Sequence, residues 1–576
     1  MKNFKFYRFA DLKRKTQQRI IIVSFLLFPV MLLIVFSYLP LTQLLLYSFT
    51  DWNGTSRNFQ FVGFENYAKL WQDPEQFAVL KVSLYYIIGT LIQTALALYF
   101  STILSFKVRF KNFFKAVIFF PYLINGVAIG FIFLLFYRGG GMLDVVMQLC
   151  GLGTHIHKWL GEPRVVNWSI VATSIWRYMG FMFVIFYGAI ASIPSDIYEA
   201  AAIDGANAWQ RFWFIIVPSI RQVIFVNLVI NISGALSIYE MPYIMTGGAN
   251  GTKTFLMNIL DTAFKYNKYG VASSMSLVLL AVVLLVAALQ KAVIGKEEKM
   301  QSTLLGKVLV ALKYISLIVI TLVCLAPIIL AAVTSLKSKT EVYDLGVLQL
   351  PETLHFENYI TAFVDGNMLN GFKNTAIMVG VSLIFVILNG TMVAYILSRF
   401  EFRGKNLLKN AFLFASLVPS MSVQVMVYRI ISALGVYNTR MAGFLLYIGT
   451  DIIAIYIFMQ QLSTISVSLD EAAIIDGASY FTVYRRIILP LLRPAIATMV
   501  IIKGVGIYND FYIPYQYMPK NSLRVVATTL FQFKGQYGTQ WEVICAGVVI
   551  TVVPILIIFI LLQKQIYNGL IQGSVK

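Results

Sequence analysis

Charge is what this sequence has least of. Charged residues make up 12% of its 576 positions, where a soluble domain carries about 25%. Hydrophobic residues reach 59%. A water-soluble fold must clothe its outside in polar groups, so this balance excludes one and requires a bilayer. Cysteine is also scarce: Cys150, Cys324 and Cys545 lie far apart, with neither disulfide nor metal spacing. Of the three histidines, His155-x-His157 is a fragment of a ligand set in an outer loop, so no metal is expected. A phosphate-binding loop is missing too. Gly295, Gly306 and Gly404 each precede a lysine but lack the earlier glycine and the following Ser or Thr. No nucleophile–base constellation appears in the apolar stretches, so neither enzyme chemistry nor a cofactor is expected in this chain.

The charge that is present is lopsided, 46 Lys and Arg against 26 Asp and Glu, for a net +20. These cations sit in short runs between apolar stretches. That distribution fits loops facing anionic lipid and gives no reading motif for nucleic acid. The basic start (Lys13, Arg14, Lys15, Arg19) leads into an apolar run from Ile20 to Phe49. The run is too long for a signal-peptide core and lacks a small-residue cleavage site, so it reads as a retained first helix.

A membrane span needs about 20 apolar residues. Twelve segments qualify: 20–40, 80–104, 114–137, 168–190, 214–244 and 272–294, then 308–334, 372–398, 408–430, 441–463, 486–512 and 543–563. The basic N-terminal arm belongs inside the cell. Counting spans then puts three more basic loops on the same side: Lys107, Arg109 and Lys111; Lys296 and Lys299; Arg399, Arg403, Lys405 and Lys409. Both termini are therefore expected in the cytoplasm.

The spans form two sets of six, and the two sets share a passage. Glu199-Ala200-Ala201-Ala202-Ile203-Asp204-Gly205-Ala206 answers Glu471-Ala472-Ala473-Ile474-Ile475-Asp476-Gly477-Ala478. The match continues with Ile215-Ile216 and Ile487-Ile488, Pro218 and Pro490, and Arg221 and Arg493, at identical spacing from the Glu to the Pro. Six spans per set put both copies on the cytoplasmic face, so the repeat is parallel. The expected fold is an all-α polytopic membrane protein of two parallel six-helix repeats. Its divisions are a first half over 1–297, a linker over 298–304 and a second half over 305–576.

Each repeated passage reads as a short capped helix. Asp196-x-x-Glu199 and Ser468-x-x-Glu471 fit a capping box at the start. The alanines favour helix and leave a small face. Gly205 and Gly477 suit a left-handed stop, and Pro218 and Pro490 stand near the start of the next span. Two identical prongs imply a two-fold partner.

This pattern, spanning 192–218 and 464–490, resembles the EAA loop of ABC importer permeases of the carbohydrate-uptake family. Phe61-Val62-Gly63-Phe64-Glu65-Asn66-Tyr67, Pro242-Tyr243-Ile244-Met245-Thr246-Gly247-Gly248, Asn358-Tyr359 and the closing Gly569–Lys576 passage are similar to that family as well. The resemblance implies the type I importer permease fold in a bacterial plasma membrane. It also implies two separate copies of an ABC ATPase that hold the ATP-Mg, and an extracytoplasmic binding protein that delivers a sugar or oligosaccharide. The ATPase-coupling residues would be Glu199, Ala200, Ala201, Asp204, Gly205 and Pro218, with Glu471, Ala472, Ala473, Asp476, Gly477 and Pro490. The departure is that both permeases lie in one chain, with Met300 about where a second would begin.

Polar side chains inside spans line cavities or pair with one another. Asn227, Asn231, Tyr239, Glu240 and Tyr243 in the fifth span are candidates for a sugar path. So are Lys503, Tyr508, Asn509, Asp510 and Tyr512 in the eleventh. The competing reading is helix-packing polar residues. At the level of the whole chain the rival is a twelve-span ion-coupled transporter using Lys503, Asp510 and Glu240. That rival gives no reason for two matching Ala-Gly helices.

Overall fold

The computed structural model describes residues 12–294 and 308–574, apart from Arg57, Lys107, Leu345, Pro419, Ser420, Ser422, Thr450, Gln536 and Tyr537. The expected linker over 298–304, with Lys296, Lys299 and Met300, falls outside the described residues. So do Lys107 and the last two positions of the closing passage. Among the described residues the regular structure is helical, save for a hairpin of two-residue strands, Lys534–Gly535 with Gly538–Thr539, and a single bridge between Thr50 and Phe61.

Among the described residues, eight helices are long and apolar enough to cross a bilayer, and three bent pairs raise the number to eleven. The expected single spans at 114–137, 441–463 and 486–512 are the bent pairs. Lys111–Leu123 turns 99° into Gly126–Phe136, Arg440–Ile448 turns 41° into Ile452–Ser463, and Tyr480–Leu491 turns 70° into Arg493–Asn509. The expected span 408–430 is also two helices, Lys405–Leu417 and Gln424–Ala433. Local chemistry explains the breaks. The Asn125 side chain accepts from Val127 N at 2.8 Å and Ala128 N at 3.4 Å, starting a new helix just after Pro121. Asp451 does the same for Ala454 N at 3.1 Å.

The first span of each half crosses to the other half. Along Arg14–Tyr47, Phe25 packs edge-on against Tyr484, with ring centroids 4.8 Å apart, and Tyr38 donates to the Ala411 carbonyl at 2.9 Å. Reciprocally, Trp176 of the first half donates to the Val323 carbonyl in Lys313–Thr334 at 2.9 Å. At the far end of each first span the same clasp recurs. Asn66 donates to the Ser48 and Thr50 carbonyls, and Asn358 to those of Ser335 and Lys337. Asn66-Tyr67 and Asn358-Tyr359 therefore hold a turn together, because a buried carbonyl needs a donor.

Candidate functional site

The two Ala-Gly passages fold alike. The helices are Ser195–Ile203 and Ser468–Ile475. Gly205 and Gly477 follow with φ of 74° and 90°. Each closes a Schellman turn. Ala206 N donates to Ala201 O and Gly205 N to Ala202 O, at 2.9 and 3.2 Å. In the second copy Ala478 N donates to Ala473 O and Gly477 N to Ile474 O, at 2.9 and 3.1 Å. The expected capping boxes do not form. The N-cap positions are Pro194 and Val467, so Glu199 and Glu471 lie too deep in the helix to reach back to them. Side-chain caps form after each glycine, on the helices that follow. Asn207 and Gln210 cap each other reciprocally, and Ser479 accepts from Thr482 N at 3.2 Å. A π-helical turn then precedes each repeated proline, Phe212–Ile216 before Pro218 and Tyr484–Ile488 before Pro490. It accommodates a residue that has no N–H to donate.

Glu199, Ala200, Asp204 and Gly205 are exposed, as are Glu471, Ala472, Asp476 and Gly477, with Ala201 and Ala473 partly so. The exposed face also carries large apolar side chains. Ile203 is 87% exposed and Ile475 84%; six residues earlier, Ile197 is 44% and Leu469 47%. These four residues occupy matching positions in the two copies. Attention to alanine and glycine missed them; their recurrence beside the motif was the available signal. Both helices lie at one end of the molecule. Arg14, at the start of the first span, donates to the Ile474 and Ala478 carbonyls at 2.8 and 2.7 Å. Tyr198 packs on Phe106, which follows the returning helix Gln76–Ser105.

From these helices the fifth span of each half runs inward. Arg221–Leu236 has 16 residues and so extends about 24 Å. The chain then breaks and restarts as Glu240–Thr246. Its counterpart Arg493–Asn509 breaks at Asp510 and restarts as Tyr512–Tyr517. At the breaks, residues aligned by the repeat meet across the two halves. Tyr243 and Tyr515 share a hydrogen bond at 2.8 Å, Tyr239 stacks on Tyr243 at 5.0 Å, and Phe511 lies 4.9 Å from Tyr515. Asn125 donates to the Asn509 carbonyl at 2.8 Å and Asn509 to the Leu123 carbonyl at 3.0 Å. Four broken ends thus close a septum of rings and amides.

Two cavities border this septum and share Met421, Asp510 and Tyr512. One of ≈ 240 Å³ lies beside Tyr239, Glu240 and Asn509, and one of ≈ 420 Å³ beside Lys503 and Asp451. Tyr239, Glu240, Lys503, Asn509, Asp510 and Tyr512 are therefore brought together, with Tyr243 beside them in the septum. Asn227 and Asn231 lie elsewhere, each donating to a carbonyl four residues back in its own helix. Tyr508 also turns away and donates to the Thr551 carbonyl at 2.8 Å. Arg177, Asp451 and Gly126 were missed, because their partners are distant in sequence. Arg177 pairs with Glu240 at 2.5 Å and Lys503 with Asp451 at 2.8 Å. A Cβ on Gly126 would stand 2.0 Å from Glu240 Oε1 and 2.3 Å from Arg177 Nη1. Among the described residues, Tyr512 OH, Asn509 Oδ1, Arg177 Nε and Ser237 Oγ are buried without a partner. Such groups cost about 1–3 kcal/mol each when dry, so they call for water or a hydroxyl-bearing ligand.

Membrane-length apolar helices, a duplicated helical loop and ring contacts at broken spans define a polytopic membrane protein built of two like halves. The sequence model of the binding-protein-dependent transport system inner membrane component matches residues 93–298 and again 360–571, and the chain belongs to that family. This membership displaces the ion-coupled alternative. The chain is 32% identical over 262 residues to the probable starch degradation products transport system permease protein AmyC of Thermoanaerobacterium thermosulfurigenes, covering 45% of this chain and 94% of that protein. It is 30% identical over 270 residues to the multiple sugar-binding transport system permease protein MsmF of Streptococcus mutans, covering 46% and 92%. Each relative thus has the length of one half. A solved bacterial ABC transporter involved in the import of the acidic polysaccharide alginate aligns with 46% of this chain and 99% of its own, at TM-score 0.42 and 18% identity.

Proposed function

We propose that this chain is the complete membrane pore of an ATP-driven sugar importer in a bacterial plasma membrane. Its two halves, 1–297 and 305–576, are joined by the linker at 298–304, and both termini are cytoplasmic. Ser195–Ile203 and Ser468–Ile475 each dock in a cleft of one ATPase subunit. Glu199, Ala200, Ala201, Asp204 and Gly205 face the first subunit; Glu471, Ala472, Ala473, Asp476 and Gly477 face the second. Pro218 and Pro490 mark the joint where motion passes to the fifth spans. ATP-Mg belongs to those subunits, and an extracytoplasmic binding protein delivers the sugar.

One observation carries this reading. Ile203 and Ile475, at matching positions, are exposed to almost the same degree at the ends of the two helices. An apolar side chain so exposed in two copies fits two equal sockets. Approach of the two ATPase subunits would move both helices. Each fifth span would carry that motion about 24 Å to the broken end that bears half of the aromatic septum. Separating Tyr239 and Tyr243 from Phe511 and Tyr515 opens the path on the side of the binding protein; return of the helices closes it.

The test is affinity purification of the tagged full chain from native membranes, beside the variant Ile203→Asp/Ile475→Asp. Both changed side chains are exposed, so the fold should survive. An ATPase should accompany the wild type and be lost from the variant. An ATPase retained at wild-type level by the double variant would refute docking through these helices.

A further inference from the structure

Both cations that border the central cavities are already neutralised. Arg177 Nη1 lies 2.5 Å from Glu240 Oε2, and Lys503 Nζ lies 2.8 Å from Asp451 Oδ2. Three of these four side chains are no more than 23% exposed, and Lys503 is 29% exposed. The third carboxylate, Asp510, accepts from Tyr512 N at 2.8 Å and Ile513 N at 3.3 Å. Among the described residues it has no cationic partner. Tyrosines aside, the ionisable groups around the two cavities are thus two cations and three carboxylates.

Both counter-ions are fixed by the fold itself. Asp451 caps Ile452–Ser463 through Oδ1, which accepts from Ala454 N at 3.1 Å and leaves Oδ2 for Lys503. Glu240 opens the helix after the break, and the missing side chain of Gly126 makes room for its carboxylate against Arg177. Arg177 also lies over the Tyr178 ring, 4.8 Å from its centroid. What remains for a ligand beside the cavities is Tyr512 OH, Asn509 Oδ1, the Tyr239 ring and the Nε–H of Arg177, whose charge Glu240 already balances.

We propose that Asp451 and Glu240 act as resident counter-ions that make this path selective for an uncharged sugar and closed to carboxylated or phosphorylated ones. The proposal rests on the sugar-permease reading and narrows it. A neutral sugar meets hydroxyl, amide and ring partners and leaves both ion pairs in place. An anionic sugar meets Asp510 with no free cation, and unlike the resident carboxylates it arrives with a hydration shell to lose. Like charges brought together this way weaken binding roughly tenfold or more.

The experiment uses the full-length chain in lipid nanodiscs, with binding followed by saturation-transfer NMR. The probes are maltotriose, cellotriose and xylotriose as neutral trisaccharides and trigalacturonate as the acidic one. At least one neutral probe should bind roughly tenfold or more tighter than trigalacturonate. Asp451→Asn keeps a cap acceptor but frees Lys503, so it should gain trigalacturonate affinity and bring the ratio near one. Adding Lys503→Met to that variant should restore the preference. Glu240→Gln asks the same of Arg177 in the other cavity should Asp451→Asn fail to fold. Wild-type protein that binds trigalacturonate as well as the neutral sugars, or well-folded charge variants with an unchanged ratio, would overturn the proposal. Absence of binding by all four probes would instead remove the sugar-permease reading, and the selectivity with it.

Discussion

In the first half the Ala-Gly helix rests on the scaffold through an aromatic contact, Tyr198 edge-on to Phe106 with centroids 6.0 Å apart. In the second half the matching position is Asp470, buried and bound to Arg399 at 2.9 Å, with both side chains 7% exposed. Burial raises the Asp470 carboxyl above the usual carboxylate range, and the Arg399 guanidinium opposes that rise. Arg399 also donates to the Ile465 carbonyl, and Arg14 adds its two bonds from the first half's N-terminal helix. The outward faces, by contrast, agree residue for residue in exposure, Ile203 with Ile475 and Ile197 with Leu469. The exposed side is duplicated, while the side that meets the molecule's own helices differs between the two copies. Docking on a partner that presents the same socket twice, as proposed above, would account for that contrast.

The largest expected effect breaks the two foundations unequally. Asp470→Ala leaves Arg399 buried without its carboxylate, which costs about 3 kcal/mol or more. Tyr198→Ala removes a partly buried ring contact and should cost about 1 kcal/mol. Thermal unfolding of the purified chain and sugar uptake by whole cells should both show Asp470→Ala as the more damaging. Equal losses would contradict the contrast between ionic and aromatic anchoring.

The next pair should behave identically. Gly205 and Gly477 occupy left-handed backbone and have nothing within 4 Å of an added Cβ. Gly205→Ala and Gly477→Ala should each cost about 1–2 kcal/mol, from conformation alone. Helix stability read by amide exchange over each loop should fall by the same amount. A difference well beyond that range would show that the two stops are not equivalent.

Arg14→Ala separates the halves again, at lower cost. The guanidinium is exposed, so loss of its bonds to Ile474 and Ala478 should amount to about 1 kcal/mol or less. Faster exchange should be confined to the loop after Ile475, with the loop after Ile203 unchanged. Equal loosening of both loops would mean that Arg14 acts on the whole bundle.

How much of this was legible beforehand follows from the range over which each signal acts. The two Ala-Gly helices and their glycine stops were readable because helix propensity and left-handed geometry are local. Their caps were misplaced by a few residues, since the N-cap positions Pro194 and Val467 come earlier than the Asp and Ser suggested. Hydrophobic length found the spans but not the 99° turn at Leu123–Asn125, which depends on one side-chain amide reaching two backbone N–H groups. Around the two cavities, Tyr239, Glu240 and Asp510 stood out as costly polar groups inside apolar runs. Arg177 and Asp451 did not, because only tertiary contact reveals that one meets Glu240 and the other Lys503. Asn227 and Asn231 gave the same sequence signal as Asn509, yet their amides turn back onto their own helices.

The smallest effect tests the closest approach of the two halves. Tyr243 and Tyr515 are aligned by the repeat and share one hydrogen bond, so removing either hydroxyl removes the same interaction. Tyr243→Phe and Tyr515→Phe should each cost about 0.5–1 kcal/mol, and the double variant should cost no more than either alone. Complete non-additivity is the signature of a single shared bond. Additive losses would mean that each hydroxyl has its own partner and that the septum is two separate walls. Under the non-additive outcome the ring contacts of Tyr239 and Phe511 hold the septum once the bond is gone. Opening should then become easier in all three variants, by a similar factor, whichever half carries the change.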